Sequence, residues 1–294
     1  VLEDPEGNWT LSQIRDQFAS RFRKNDSDTL NFGFTKSTIW LRFQVNASQM
    51  DGRSWFLVER YPILDELTLF VPQADGEFRK YAVGDTRSFG SRPMDHRAFV
   101  FNLDALPDGV SEYYIKVRGK GALNMMPMLY SAKGLVEYTY IEQLLQGLFY
   151  GSLTIMLIYN LLLFLSLRDN VHLHFVVFLT GVLFFNICVS GFGLQYLWPD
   201  NPKVNEYFWL TTYICGLSLA LYSRQFLQLA QRFPRYDRLL KHYLILIGLA
   251  FLLQWVIPPP YSYHLSTVMV MITVVLFSWL GWVVWRQGFR VALS

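Results

Sequence analysis

Two hydrophobic rhythms divide the chain. Through Tyr140, charges are frequent and apolar residues alternate with polar ones, the period-two mark of half-buried strands. Ile39, Leu41, Phe43 and Val45 alternate with Trp40, Arg42 and Gln44, and 55–60, 67–71, 78–83, 99–103, 113–117 and 125–130 read as further strands. Asp75-Gly76 supplies a turn between the third and fourth of these. Thr10-Leu-Ser-Gln13 has the spacing of a capping box and predicts a short helix over 11–18. Strands separated by Gly, Pro, Asp and Asn turns, with little helix among them, predict an antiparallel β-sandwich.

The second rhythm starts at Leu144. Residues 144–167 contain no charge, and at about 1.5 Å per helical residue they exceed a hydrocarbon core of roughly 30 Å. In lipid every backbone N–H and C=O needs a partner within the segment, so such a run is helical. Apolar runs recur at 173–194, 207–223, 243–257 and 265–285. They are separated by a polar link at 166–170, a loop at 195–206 with Pro199 and Pro202, a basic amphipathic segment at 224–241, and Pro258-Pro-Pro260. The expected organisation is a water-exposed β-sandwich over 1–135, a linker over 136–143, and an all-α transmembrane bundle over 144–294 with five crossings.

Charge distribution orients the bundle. Residues 1–140 hold 17 of the 26 Lys+Arg and 18 of the 23 Asp+Glu, a net of −1; the remainder holds 9 and 5, a net of +4. With the β-domain outside, Arg168, Arg224, Arg232, Arg235, Arg238, Lys241, Arg286 and Arg290 fall inside, and only Lys203 falls outside. That bias fits the positive-inside rule, and Tyr196, Trp198, Trp255 and Tyr261 would lie at the outer interface, with Trp285 at the inner one. The near-neutral β-domain lacks the basic stripe of a nucleic-acid binder. Cys188 and Cys215 both lie in apolar runs, so no disulfide framework is expected. The abrupt start at Val1 and stop at Ser294 lead us to expect part of a longer protein.

Candidate chemistry is sparse. The five runs contain no Asp, Glu or Lys, against the mid-membrane ionisable groups typical of pumps and transporters. No HExxH, GxSxG or P-loop spacing occurs, so no catalytic residue, metal or cofactor is expected within these residues. Asn160 and Asn186 read as interhelical hydrogen-bonding groups. In the β-domain, Trp40 and Arg42 share the strand face opposite the apolar stripe, while Asp85, Arg92, His96 and Arg118 fall near strand ends. Two readings stand: an aromatic platform with charged neighbours suited to a sugar, or a solvated strand face with Trp40 covered by a loop. Asp65-Glu66 is a poor cation cage, because adjacent strand residues point to opposite faces.

Several short motifs in order resemble one family. They are Leu2-Glu-Asp-Pro5, Ile39-Trp-Leu-Arg42, Leu64-Asp-Glu-Leu-Thr-Leu-Phe70, Gly84-Asp85 with Arg92-Pro93, His96-Arg-Ala-Phe-Val-Phe-Asn-Leu103 and Tyr114-Ile-Lys-Val-Arg118. The resemblance continues through 147–163 and Tyr222-Ser-Arg-Gln-Phe-Leu227. The chain thus resembles the bacterial seven-transmembrane receptors with diverse intracellular signalling modules. The resemblance implies a jelly-roll-like extracytoplasmic sensor domain, seven crossings of which five are present, and a cytoplasmic output enzyme outside these residues: a diguanylate cyclase, histidine kinase or phosphatase. Trp40, Arg42, Asp65, Arg92 and Arg118 match motif positions, either as ligand contacts or, for Asp65 and Arg92, as an ion pair bracing the sandwich. Expected partners are a small-molecule or carbohydrate ligand, membrane lipids and a second copy of the chain. The expected site is the inner membrane of a bacterium, with the N-terminal domain periplasmic and the C-terminus cytoplasmic. A transporter or channel with an accessory β-domain, and a membrane-anchored carbohydrate-binding protein, stay open as alternatives.

Overall fold

The computed structural model describes residues 1–287 except 26, 28, 47, 49–53, 104–108, 259 and 260. Arg290 and two of the three prolines at 258–260 therefore lie outside the described residues. The chain forms two compact units: Val1–Leu144 with Ile187–Glu206, and Leu145–Asn186 with Tyr207–Ser294.

The first unit is an antiparallel β-sandwich. Its strands are β1 (Leu2–Asp4), β2 (Leu30–Phe34), β3 (Thr38–Asn46), β4 (Trp55–Glu59), β5 (Glu66–Pro72), β6 (Phe78–Val83), β7 (Phe99–Asn102), β8 (Val110–Arg118), β9 (Ala122–Met125) and β10 (Pro127–Ser131). One sheet has the order β1-β3-β8-β5-β6, a second β10-β4-β7, and β2 pairs with β9. Ile39, Leu41, Leu67, Leu69, Ile115 and Val117 face Leu57, Phe99, Phe101 and Met125 in one buried core. That core is what the alternation at 39–45 encodes.

The stretch read as one strand over 125–130 is two strands, β9 and β10. They break at Met126, whose N–H is taken by the carboxylate of buried Glu59 (3.0 Å to Oε2) instead of by a neighbouring strand. Pro127 has no N–H to continue the ladder. The chain thereby passes from the β2 pairing to the β4 pairing.

Both outer faces of the sandwich are covered. Helix α1 (Leu11–Asp16) has its capping box: Gln13 N–H donates to Thr10 Oγ1 (3.4 Å), and Thr10 N–H donates to Gln13 Oε1 (2.9 Å). It lays Ile14 on the face carrying Trp40 and Tyr114, with Leu2, Trp9 and Phe18 around them. The opposite sheet packs Val58, Ala98 and Val100 against Leu135, at the start of helix α2 (Ala132–Leu167). Residues 136–143, expected as a linker, are helical turns of α2.

The second unit is helical. It holds the rest of α2, most of α3 (Asn170–Val189), α4 (Leu210–Phe226), α5 (Leu229–Arg232), α6 (Pro234–Gln254) and α7 (Tyr261–Arg286). All five predicted apolar runs are helices. Three of them, α2, α3 and α7, are long and apolar enough to cross a membrane. Helix α4 has 17 residues, and α6 opens on a turn carrying Arg235, Asp237, Arg238 and Lys241. Tyr213, Ala220, Tyr243, Ile247, Ala250 and Met269 form the core of α4, α6 and α7. Gly216 permits the approach: a Cβ there would lie 2.4 Å from Ile247 and 2.6 Å from the Tyr243 hydroxyl. The Tyr213 hydroxyl donates to Gln254 Oε1 (2.9 Å), and the Tyr243 and Thr273 hydroxyls are 2.6 Å apart, satisfying polar groups where lipid offers none. Asp237 pairs with Arg224 and with Lys241 (3.0 Å).

Ile14 is fully buried. Ile14→Ala should destabilise the β-domain by about 2–4 kcal/mol, whereas Gln17→Ala, at an exposed position, should stay within about 0.5 kcal/mol. Chemical unfolding of the chain in detergent, followed by tryptophan fluorescence, measures both.

Candidate functional site

The loops at one end of the sandwich receive two other chain segments of the same unit: the first turns of α2 and the connection between α3 and α4. Arg97, just before β7, joins them. Its side chain is 8% exposed, so its charge requires partners, and it finds them on both segments. The guanidinium pairs with Glu142 of α2 and donates from Nη1 to the Ser190 carbonyl (2.8 Å). It also lies over the Phe192 ring, 5.4 Å from the centroid.

Neighbouring contacts repeat this division. His96 accepts the Ala98 N–H at Nδ1 (3.0 Å), which leaves Nε2 as the donor to Thr139 Oγ1 (3.4 Å) on α2. Burial and the adjacent Arg97 charge hold the His96 imidazole below its ordinary pKa. Arg60 donates from Nε to the Tyr138 hydroxyl (3.2 Å). Toward the α3–α4 connection, Phe89 N–H donates to the Pro199 carbonyl (2.8 Å), and Gln195 Nε2 to the Asp95 carbonyl (3.4 Å). Gly191 has φ +81°, and a Cβ there would lie 2.9 Å from Pro62 Cβ and 3.1 Å from the Arg97 carbonyl. Only glycine fits that backbone and that space.

Beside this junction lies a cluster of charge. Asp65 accepts the Lys120 N–H, and the Lys120 ammonium pairs with Glu206 (3.2 Å) on the α3–α4 connection. Asp85 N–H donates to the Leu64 carbonyl (2.8 Å), and the Thr86 hydroxyl to the Asp65 carbonyl (2.6 Å), tying the two loops together. Burial, reinforced by the Asp65 charge, pushes the Asp85 carboxyl up to about 7, and burial lowers Arg92 to about 10. Arg92 donates from Nη1 to the carbonyls of His96 (3.1 Å) and Arg97, and lies over Phe99 at 4.4 Å.

The five residues singled out in the sequence fall into separate places. Trp40 is 1% exposed, stacked on Phe70 at 5.7 Å with the Lys116 ammonium over its ring at 5.2 Å. The N-terminal segment covers its face, so the indole offers no platform to a ligand. Arg42 is exposed, over the Phe22 ring at 4.8 Å, and lines a groove of about 510 Å³ with Arg23, Lys24, Phe43 and Leu129. Arg118 is exposed at the end of β8, opposite Glu66. Asp65 and Arg92 come to the same end of the sandwich, but the carboxylate facing Arg92 electrostatically is Asp85, while Asp65 is taken by Lys120. Among the described residues no group of three His, Cys, Asp or Glu could hold a metal ion. Arg97 and Glu142 were not anticipated. The available signal was Glu142 itself, the last charge before the long apolar run.

A folded β-domain gripping the start of a long apolar helix defines a membrane protein with an N-terminal sensor-type domain. The family model described as 7TMR-DISM extracellular 2 matches residues 1–131, and the one described as 7TM diverse intracellular signalling matches residues 142–294. The second covers more than half of the chain, which therefore belongs to this family: seven-transmembrane receptors with an extracellular sensor domain. A search of the curated proteins finds no match.

Arg97→Gln should cost about 2–4 kcal/mol of stability, because it leaves Glu142 facing a buried site without its counter-charge. A double-mutant cycle with Glu142→Gln should return a coupling of about 1–3 kcal/mol, read from unfolding of the chain in detergent.

Proposed function

We propose that this chain is the input module of a bacterial inner-membrane receptor. A small, carbohydrate-like ligand binds the jelly-roll-like periplasmic sandwich, and the bound state is passed through the helices to a cytoplasmic output enzyme. The observation that carries this reading is the Arg97 junction. One buried guanidinium on the sandwich holds both the first turns of α2 and the end of α3, so a shift of the loop at 92–97 acts on two helices together. The groove beside Arg42 supports ligand binding, since Arg23, Lys24 and Arg42 line it together with the apolar side chains of Phe43 and Leu129. The excess of basic residues on one side of the helices supports a cytoplasmic C-terminus. A coupling of about 1–3 kcal/mol between sandwich and helices is enough for a useful switch.

Replacing 136–143 by a Gly/Ser segment in the full-length receptor tests the route. The output enzyme should lose its dependence on ligand while the sandwich still binds it. Unchanged signalling would rule out transmission through α2.

A further inference from the structure

Asp85 and Arg92 are the buried charges that the ligand reading leaves unused. Asp85 Oδ1, Arg92 Nε and Arg92 Nη2 are all buried without a hydrogen-bond partner. Buried polar atoms are seldom left in that state, and a carboxylate and a guanidinium edge have the shapes to satisfy each other. The two groups lie within electrostatic reach but outside ion-pair contact.

What Arg92 does with its remaining nitrogen gives the pair its interest. Nη1 holds the carbonyls of His96 and Arg97, the two residues that contact Thr139 and Glu142 of α2. The Asp85 loop reaches the α3–α4 connection separately, through Phe89 N–H and the Pro199 carbonyl. We propose that Asp85 and Arg92 form a proton-sensitive latch on the junction: ionised Asp85 engages the free Nε/Nη2 edge and tightens the loop at 92–97, and protonated Asp85 releases it.

The charges facing Asp85 come from every neighbouring loop. Asp65, at the start of β5, and Glu206, on the α3–α4 connection, oppose its ionisation. Arg92, and Lys120 between β8 and β9, favour it, and the Tyr61 phenol also faces it. Burial dominates and holds the carboxyl up to about 7 before it engages Arg92. This latch goes beyond ligand sensing and rests only on the contacts at the junction. Its test reads those contacts and not the output enzyme, so failure of the ligand reading leaves it standing.

Hydrogen–deuterium exchange of the whole chain in lipid nanodiscs, corrected for the intrinsic pH dependence of exchange, measures it. Exchange at 92–97 should slow roughly tenfold from about pH 5 to about pH 8.5, with a midpoint below about 7, because engagement of Arg92 favours the ionised carboxyl. Asp85→Asn should hold the loop in the fast state at every pH. Glu206→Gln, at an exposed position, should move the midpoint lower by removing a like charge. A flat profile in the unmodified chain, the same midpoint in Asp85→Asn, or an unmoved midpoint in Glu206→Gln would overturn the proposal.

Discussion

A buried guanidinium must be neutralised where it stands, and that constraint organises the junction. Arg97 is withdrawn from water on a loop of the sandwich, and its partners come from two remote stretches: Glu142 on α2 and the Ser190 carbonyl at the end of α3. Breaking either contact leaves a charge in a poorly solvated place, which is more costly than leaving a surface pair unmade. The sandwich is thereby held to the helix that begins where its last strand ends. The glycine at 191 follows from the same constraint, since any side chain there would push Pro62 and the Arg97 backbone away.

Around that point the unit is arranged in covered layers. The inner faces of the sheets make one core, α1 closes one outer face over Trp40, and the first turns of α2 close the other over Val58 and Val100. The first turns of α2 are therefore part of the packing of the β-domain as well as the start of an apolar helix. A rearrangement of the sandwich loops acts on a packed helical element, whereas a flexible tether would dissipate it. Under the proposed function, that shared packing is the physical route by which a change in the sandwich would reach α2.

Much of this was legible in the sequence. The alternation at Ile39–Val45 and the uncharged run from Leu144 fixed the two classes of structure, because period and length respond directly to burial and to membrane thickness. The capping box at Thr10 and the turn at Asp75-Gly76 were local and came through. Strand β1 has three residues, too few to show a period. Strand β2 alternates Leu30, Phe32 and Phe34 with Asn31 and Gly33, but its register shifts between Asn31 and Phe34, at the positive-φ Gly33, and its pairing with β9 is not local. The division at Met126 depends on a carboxylate far away in sequence. Trp40 illustrates the limit on the site. Its alternation placed it on the outer face, and only the fold shows that α1 turns that face into a second core. Arg97 and Glu142 are separated by 45 positions, so nothing local announced their pairing.

The most direct measurement fixes the junction covalently. Arg97→Cys with Glu142→Cys, joined in the full-length receptor by a short, reducible bis-thiosulfonate cross-linker that replaces the length of the two lost side chains, ties the loop to α2 at the position of the ion pair; Cys215→Ser removes the half-buried native thiol, and Cys188 is buried. If the junction carries the signal, cross-linking will hold the output enzyme at one level whatever ligand is present, and reduction will restore the response. A cross-linked receptor that still answers ligand in full would contradict the account.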